Sequence, residues 1–226
     1  MAIYVPQHFA VDDRAAIARL LHDYPFATLI TPQPADPLGV TPPASPLITP
    51  LVTHLPLVHV CDCEPHGTLL GHFARANPHS RAAVAESIAV FHGPHAYVSP
   101  TWYADPAAAV PTWNYAVVHA HGTLQLAEDP AETRAIIDLM VTRFESGRPA
   151  PWSIGLDPPR LEGMVGAIVG FRLRVKRLEA KFKLSQNRTP EDRRRVAAAL
   201  GGEGYADAEA TAAWMKRYGK LADDEA

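Results

Sequence analysis

Histidine is the residue type that stands out first, because the 226 residues contain 11 of them. Most lie beside or close to Gly or Pro, as in Gly71-His72, His92-Gly93-Pro94-His95 and His121-Gly122. An imidazole offers a donor, an acceptor and a flat face, and glycine lets backbone approach a ligand closely. The set therefore predicts a site for a flat ligand with polar edges, although each histidine alone is typical of an ordinary turn or strand.

The segment from Gly71 to Pro78 carries the most specific chemistry. Arg75 and Asn77 stand where a predicted strand meets a helix start at Pro78. Free N–H groups, the positive end of a helix and a guanidinium together form a phosphate site. Neither a Gly-x-Gly-x-x-Gly run nor a Gly-x-x-x-x-Gly-Lys run occurs, so the Rossmann and P-loop modes are unsupported. The alternative is that Arg75 is a plain surface residue.

Metal and nucleophile motifs are weak in this sequence. Cys61 and Cys63 are separated by one residue, whereas structural zinc sites use two to four. His119 and His121 share one strand face and could ligate a metal, but two packed side chains explain them as well. No Gly-x-Ser-x-Gly elbow occurs. We therefore predict no metal site and assign no catalytic residue.

Four aromatic residues fall within 14 positions that end in the first residues of the longest predicted strand: Trp102, Tyr103, Trp113 and Tyr115. Such side chains can stack on a flat ring system or fill a subunit interface, and they can equally belong to a core.

Composition predicts a globular protein of one large domain, or one domain with a small appendage. Hydrophobic residues make up 47% of the chain and charged residues 20%, which excludes intrinsic disorder as the main state. The sequence has no membrane-spanning run and no signal peptide at Met1 to Pro6. With only two cysteines, we expect a cytoplasmic protein with no membrane partner.

Positive charge is concentrated late in the chain. Residues 171–195 hold ten Lys or Arg against three acidic residues. A block of this density predicts a phosphate-bearing partner, either a cofactor or a nucleic acid. A solvated strand face followed by a solvated helix is the alternative.

Periodicity and turn signals predict several short strands followed by peripheral helices. The predicted strands are Phe26 to Thr31, two short strands within Leu47 to Val60, Thr68 to Phe73, a hairpin of Ser87 to His92 and His95 to Ser99, Thr112 to Gln125, and Met164 to Val175. The predicted helices begin after Asp12 or Asp13, at Pro78 (to Glu86), after Asp129, after Thr189 and at Asp207. This order favours an antiparallel barrel or sandwich over a doubly wound sheet.

Five blocks of the sequence together resemble the PaiB-type family, which is described as FMN-binding negative transcriptional regulators. The blocks are Thr53-His54-Leu55-Pro56, Gly71 to Pro78, Phe91-His92-Gly93-Pro94-His95-Ala96-Tyr97, Pro111-Thr112-Trp113-Asn114-Tyr115 and Lys183-Leu184-Ser185-Gln186-Asn187-Arg188. The match extends in order from about Met1 to Leu200. The main departure is a Pro-rich insert from Pro32 to Pro46.

The resemblance implies a mainly β protein with peripheral helices, specifically an FMN-binding split β-barrel similar to pyridoxamine-phosphate oxidases and small flavin reductases. It implies a homodimer with FMN in a cleft between subunits. We expect residues 1–186 to form the split-barrel domain and residues 187–226 a helical appendage packed on it.

The family motif also implies site residues. His72, Ala74, Arg75 and Asn77 match the phosphate segment, and Thr53, His54, Leu55 and Pro56 would lie along the isoalloxazine or ribityl chain. Trp113 and Asn114 would close over the ring from the other subunit. Lys183, Gln186 and Arg188 match a family motif without an assigned role.

Three functions follow from this resemblance. The first is an FMN-binding negative regulator of transcription, and the alternative is an FMN-dependent oxidoreductase or flavin reductase. A haem-binding split barrel is less expected. Direct DNA binding has weak support, because the predicted last helix begins with Asp207 and Glu209 where a recognition helix would present donors.

Overall fold

The structure is a computed structural model that describes residues 3–32, 50–62, 64–81 and 85–221. The strands are β1 (Phe26–Thr31), β2 (Leu51–Pro56), β3 (Val58–Val60), β4 (Thr68–Ala74), β5 (Ala85–Val98), β6 (Thr112–Leu126) and β7 (Ile168–Lys183). The α-helices are α1 (Arg14–Asp23), α2 (Pro130–Glu145), α3 (Pro158–Gly166), α4 (Pro190–Gly201) and α5 (Ala206–Tyr218). Most of the Pro-rich insert and Cys63 lie outside the described residues.

The strands form one sheet in the order β2-β1-β5-β6-β7-β4-β3. β1 pairs with β2, β3 with β4, and β4 with β7, each in antiparallel orientation. Phe26 lies opposite Pro56, and Gly71 lies opposite Phe171. The predicted mainly β class with peripheral helices is confirmed. None of the helices in the described part of the chain is long and apolar enough to cross a membrane.

The chain divides into two compact units. Unit 1 contains Met1–Tyr24, Phe91–His119 and Glu179–Ala226, and unit 2 contains Pro25–Val90 and Ala120–Leu178. The long strands β5, β6 and β7 therefore contribute residues to both units. The predicted domain boundary after residue 186 stays a prediction.

Unit 2 is organised around the β4–β7 pair. Phe73 stacks on Phe171 with ring centroids 4.3 Å apart, and both side chains are fully buried. On the same strand, Leu70 packs with Ile136 and Met140 of α2. The β7 alternation predicted from sequence is confirmed, because Phe171, Leu173 and Val175 are buried while the intervening basic residues are not.

Unit 1 has a core made by its helices and the end of β7. Phe182, Trp214 and Tyr218 form an aromatic cluster with ring centroids 4.8–5.7 Å apart. The Thr189 hydroxyl accepts from the Asp192 N–H at the start of α4, and Gly219 follows the last residue of α5. Both predicted helices are therefore confirmed, since their capping residues act locally.

The predicted hairpin through Gly93-Pro94 is wrong. β5 runs without interruption from Ala85 to Val98, and Gly93 does not have the positive φ that a tight hairpin turn uses. A Cβ at Gly93 would lie 3.0 Å from Leu20 and 3.2 Å from Ala116. This glycine allows close packing within the strand, and sequence alone cannot separate that role from a turn.

Two further element predictions are wrong in extent. The helix expected from Pro78 to Glu86 is a 3-10 turn of four residues, Pro78–Arg81, and β5 already begins at Ala85. The strand expected from Met164 to Val175 starts only at Ile168, because α3 occupies Pro158–Gly166. Asp157 caps α3 by accepting from the Arg160 N–H.

Candidate functional site

Thr53 on β2 and Asn77 after β4 are in direct contact. Asn77 Nδ2 donates a hydrogen bond of 3.0 Å to Thr53 Oγ1. Asn77 Oδ1 accepts from the His79 N–H, also at 3.0 Å. Asn77 therefore satisfies a free N–H at the start of the turn Pro78–Arg81.

A buried chain of polar side chains continues inward from Thr53. The Thr53 hydroxyl lies 2.7 Å from His79 Nδ1, and the Thr31 hydroxyl lies 3.1 Å from His79 Nε2 and 2.7 Å from Ser87 Oγ. The His79 ring is 1% exposed and stacks on Phe73. Burial lowers the pKa of His79 and so favours the neutral imidazole, which can donate from one nitrogen and accept at the other. We call this network the His79 chain.

Arg75 is an exposed cation whose guanidinium is fixed by neutral acceptors. Its Nε donates to Gly166 O over 2.7 Å, and one terminal nitrogen donates to Ile168 O over 2.9 Å. The backbone N–H of Arg75 donates to Ala167 O. A guanidinium has five N–H donors, so the remaining ones can bind an anion. No carboxylate of the described residues forms a salt bridge with Arg75.

His72 and Pro56 both line a cavity of about 520 Å³ in unit 2. The other lining residues come from α2, from the 152–156 segment, and from α3 and Ile168; almost all of them are apolar. His72 Nδ1 is buried without a hydrogen-bond partner, and burial lowers the pKa of this side chain. The surroundings of His72 are therefore apolar, unlike those of Asn77.

The remaining predicted residues of unit 2 differ in exposure. His54 is exposed and its Nδ1 lies 3.0 Å from the Thr28 hydroxyl. Leu55 belongs to the buried core, and Ala74 is exposed at the end of β4.

In unit 1, Lys183 contacts the start of β6. Its ammonium donates to Thr112 Oγ1 over 2.7 Å and to the Trp113 carbonyl over 2.5 Å. Burial is the largest cause that lowers the pKa of Lys183, followed by the charges of Lys181 and Arg188. Lys183 therefore holds the backbone of Trp113, whose side chain is 52% exposed beside Tyr97 and His95.

Asn114 is fully buried and positions the loop after β7. Its Nδ2 donates to Ser185 Oγ over 2.9 Å, and Ser185 has a left-handed backbone with φ of 68°. Gln186 bridges the same loop, because it donates to Phe182 O and accepts from the Leu184 N–H. Both amides are thus engaged within the chain.

Arg188 covers the ring of Tyr103 at 4.7 Å. The Tyr103 hydroxyl is buried without a hydrogen-bond partner, and both residues line a cavity of about 560 Å³ beside the first turn of α4.

The structure thus brings the predicted residues together as pairs: Thr53 with Asn77, Pro56 with His72, and Trp113 with Lys183. Three residues of the His79 chain are not among the site residues predicted from sequence: Thr31, His79 and Ser87. The sequence signal for this chain is His79 itself, which lies two residues after Asn77. Its burial depends on strand register, which the sequence does not give.

The fold is similar to that of several solved structures. It superposes on the FAD and haem binding protein from Mycobacterium smegmatis with a TM-score of 0.56 and 18% identity, over 85% of this chain and 80% of that one. A conserved hypothetical protein from Mycobacterium tuberculosis gives a TM-score of 0.52 and 14% identity, over 83% and 94% of the two chains. These similarities concern the fold alone.

Sequence comparison identifies the family. The family model described as "Putative FMN-binding domain" matches residues 3–177. The Bacillus subtilis (strain 168) protein named "Protease synthase and sporulation protein PAI 2" is 33% identical over 218 residues, which cover 95% of this chain and 97% of that protein. The chain belongs to the PaiB-type family of FMN-binding proteins. FMN is its cofactor.

The buried His79 predicts a pH dependence of stability. Its folded-state pKa lies below the ordinary value of 6.5, so between the two values only the unfolded chain takes up the proton. The contribution of His79 to the free energy of unfolding is complete above pH 6.5 and is lost as the pH falls below that value. His79→Gln retains a donor and an acceptor but cannot titrate, so its free energy of unfolding should decline less from about pH 7 to about pH 5.

Urea unfolding at several pH values measures this difference. His72 also has a lowered pKa, but it is present in both proteins and its effect cancels. Equal slopes for the wild-type and His79→Gln proteins would contradict the assignment.

Proposed function

We propose that this chain is a transcriptional regulator of the PaiB type that binds FMN in a cleft between two copies. The single observation that carries the proposal is the 33% identity to the Bacillus subtilis protein over 95% of this chain. The family match supports FMN as the ligand. The contacts of Arg75, Asn77 and Thr53 support the position of the candidate site.

Arg75 is the proposed anchor of the FMN phosphate. Its guanidinium is exposed, held by the carbonyls of Gly166 and Ile168, and free of a carboxylate partner among the described residues. A pre-positioned arginine suits a phosphate because less conformational freedom is lost on binding. Asn77 and Thr53 add polar groups whose positions are fixed by the His79 chain. These residues fit an FMN tail.

The flavin ring is proposed to lie along Thr53 to Pro56, with Trp113 of the second copy over it. Trp113 supports this assignment because it is a large aromatic side chain left 52% exposed on β6. Lys183 holds the Trp113 backbone, so Lys183 is proposed as a positioning residue. Asn114, Gln186 and Arg188 are proposed to act likewise, through the loop that follows β7.

Bound FMN supplies reversible redox chemistry. The protein's part is to hold the tail, shape the space beside the ring and exclude competing contacts. In a regulator, occupancy or redox state of the flavin would be the signal.

Arg75→Ala should weaken FMN binding about 10- to 100-fold, because a charge-assisted hydrogen bond to the phosphate is lost. Arg75→Lys retains the charge but cannot make both hydrogen bonds to the carbonyls of Gly166 and Ile168. Its affinity for FMN should therefore lie between those of the wild type and Arg75→Ala. Flavin absorbance after incubation with FMN and desalting measures retention, and titration gives Kd. The control is Arg14→Ala, which removes the same charge from an exposed position on α1. If Arg75→Ala retained as much FMN as the wild type, Arg75 would not be the anchor of the FMN phosphate.

Trp113→Ala should weaken both dimerisation and FMN binding. Each free energy of binding should fall by about 2 kcal/mol or more, the effect of an interface hot spot. Sedimentation equilibrium with and without FMN measures both effects. Val110→Ala changes another exposed residue, just before β6, and serves as the control. A dimer constant unchanged in Trp113→Ala would disprove the shared cleft.

DNA contact is proposed to involve the outward side of β7. Two of its basic residues are paired, Arg172 with Glu132 at 2.7 Å and Lys176 with Glu86 at 2.6 Å. Arg174 lies between them and is exposed. Because the first turn of α5 carries Asp207 and Glu209, that helix is the poorer candidate.

Removal of Arg174 should therefore reduce the salt dependence of DNA binding. Arg174→Ala should lower the slope of log K against log salt by about 1 for each copy that contacts the DNA, whereas Arg14→Ala should leave the slope unchanged. Mobility shifts from about 50 to about 200 mM salt on selected and random duplexes measure this. Two results together would overturn the proposed regulator function: equal binding to selected and random DNA, and reduction of the bound FMN by NADPH. They would favour the FMN-dependent oxidoreductase instead.

A further inference from the structure

The cavity of unit 2 that contains His72 has the dimensions of a small-molecule site. Its volume is about 520 Å³, and ligand pockets usually measure about 300–1,000 Å³. Its walls are formed by α2, α3, the 152–156 segment, β4 and Ile168. All of its lining residues therefore belong to one compact unit.

The lining is apolar almost throughout. Met140, Phe144, Leu156 and Val165 are representative of the wall. Trp152 and Met164 also line it, and each is more than half exposed, at 53% and 55%. A ligand that covers these side chains removes apolar surface from water, which favours binding.

Two polar side chains interrupt the apolar wall, and they differ in availability. Glu145 is engaged, because its carboxylate accepts from the Trp152 N–H at 2.9 Å and pairs with Arg148 at 3.2 Å. His72 is not engaged at Nδ1, which is buried and has no partner among the described residues. The cavity thus offers one buried hydrogen-bonding atom and little unpaired charge.

We propose that this cavity binds a neutral, largely apolar ring compound that carries one hydroxyl group, with the hydroxyl on His72 Nδ1. A hydroxyl suits either tautomer of the imidazole, because it can donate or accept. An ionic ligand would be disfavoured, since the apolar wall cannot solvate its charge. The proposal goes beyond the flavin site, and either can fail while the other stands.

The position of the cavity connects it to the proposed flavin site. Ile168 lines the cavity, and its carbonyl accepts from Arg75. Pro56 also lines it and ends the segment assigned to the ring. A bound ring compound would therefore lie next to the cofactor, where an effector or a substrate of a flavoprotein is expected.

Methionine methyl NMR can test the proposal in the wild-type protein. The chain has four methionines, of which Met140 and Met164 line the cavity. Met215 is the internal control, because it is fully buried in unit 1 beside Asn114. Addition of 1-naphthol to protein with 13C-methyl methionine should shift the Met140 and Met164 signals at one equivalent and leave Met215 unchanged. Met140→Leu and Met164→Leu assign the two signals.

The role of His72 is tested by ligand selectivity. Wild type should bind 1-naphthol about fivefold more tightly than naphthalene, the value of one neutral hydrogen bond. His72→Phe keeps a ring in the wall without the nitrogen and should abolish that preference while still binding naphthalene. Thermal unfolding verifies that the variant is folded; if it is not, His72→Gln, which retains a hydrogen-bonding group, should restore a preference for 1-naphthol.

Several results would overturn the proposal. These are no shift of Met140 or Met164 at saturating 1-naphthol, an equal shift of Met215, or the same selectivity in folded His72→Phe. Competitive displacement of 1-naphthol by FMN would also overturn it, because the cavity would then be the flavin ring pocket. Flavin absorbance on the same samples separates the proposed FMN function from the proposed cavity site. If the protein binds no FMN, the proposed function is wrong. Shifts of Met140 and Met164 on addition of 1-naphthol would still support the cavity site.

Discussion

One arginine joins the end of β4 to the junction between α3 and β7. The guanidinium of Arg75 binds the carbonyls of Gly166 and Ile168, and its backbone N–H binds that of Ala167. Gly166 ends α3, where carbonyls lack partners within the helix and the helix dipole favours a cation. The same junction forms part of the apolar cavity through Val165 and Ile168. The position of the proposed phosphate anchor and the shape of the cavity wall therefore depend on the same contacts.

The His79 chain gives the surface residues of the site a rigid base. Thr53 takes part in two interactions at once, with Asn77 near the surface and with His79 in the core. His79 in turn contacts Thr31, and its ring stacks on Phe73. A buried polar group costs free energy unless it is hydrogen-bonded, and here both imidazole nitrogens have partners. Because the whole network is satisfied, Thr53 and Asn77 are held in place before a ligand arrives, which is the condition for precise binding.

Sequence was informative where structure is determined locally and uninformative where distant neighbours decide. The helix starts at Asp129 and Thr189 were predicted because a capping residue and a proline act within one turn. Asp157 begins α3 in the same way, but glycines within that helix hid the pattern. The hairpin predicted at Gly93-Pro94 is wrong because Gly93 allows close packing against Leu20 and Ala116 of β6. Arg75, Asn77 and Thr53 were named from sequence, whereas their contacts required the strand register.

Charge within the chain decides which cations remain available to a phosphate. Arg172 and Lys176 belong to the basic block noted in the sequence, but carboxylates of Glu132 and Glu86 pair with them. Arg75 lies outside that block, and its fixed partners are carbonyls, which orient the guanidinium without neutralising it. A dianionic phosphate therefore gains more from Arg75 than from either paired residue. Counting basic residues along the sequence therefore does not predict which cations can bind an anion, because only the packed structure shows which of them already have an anionic partner.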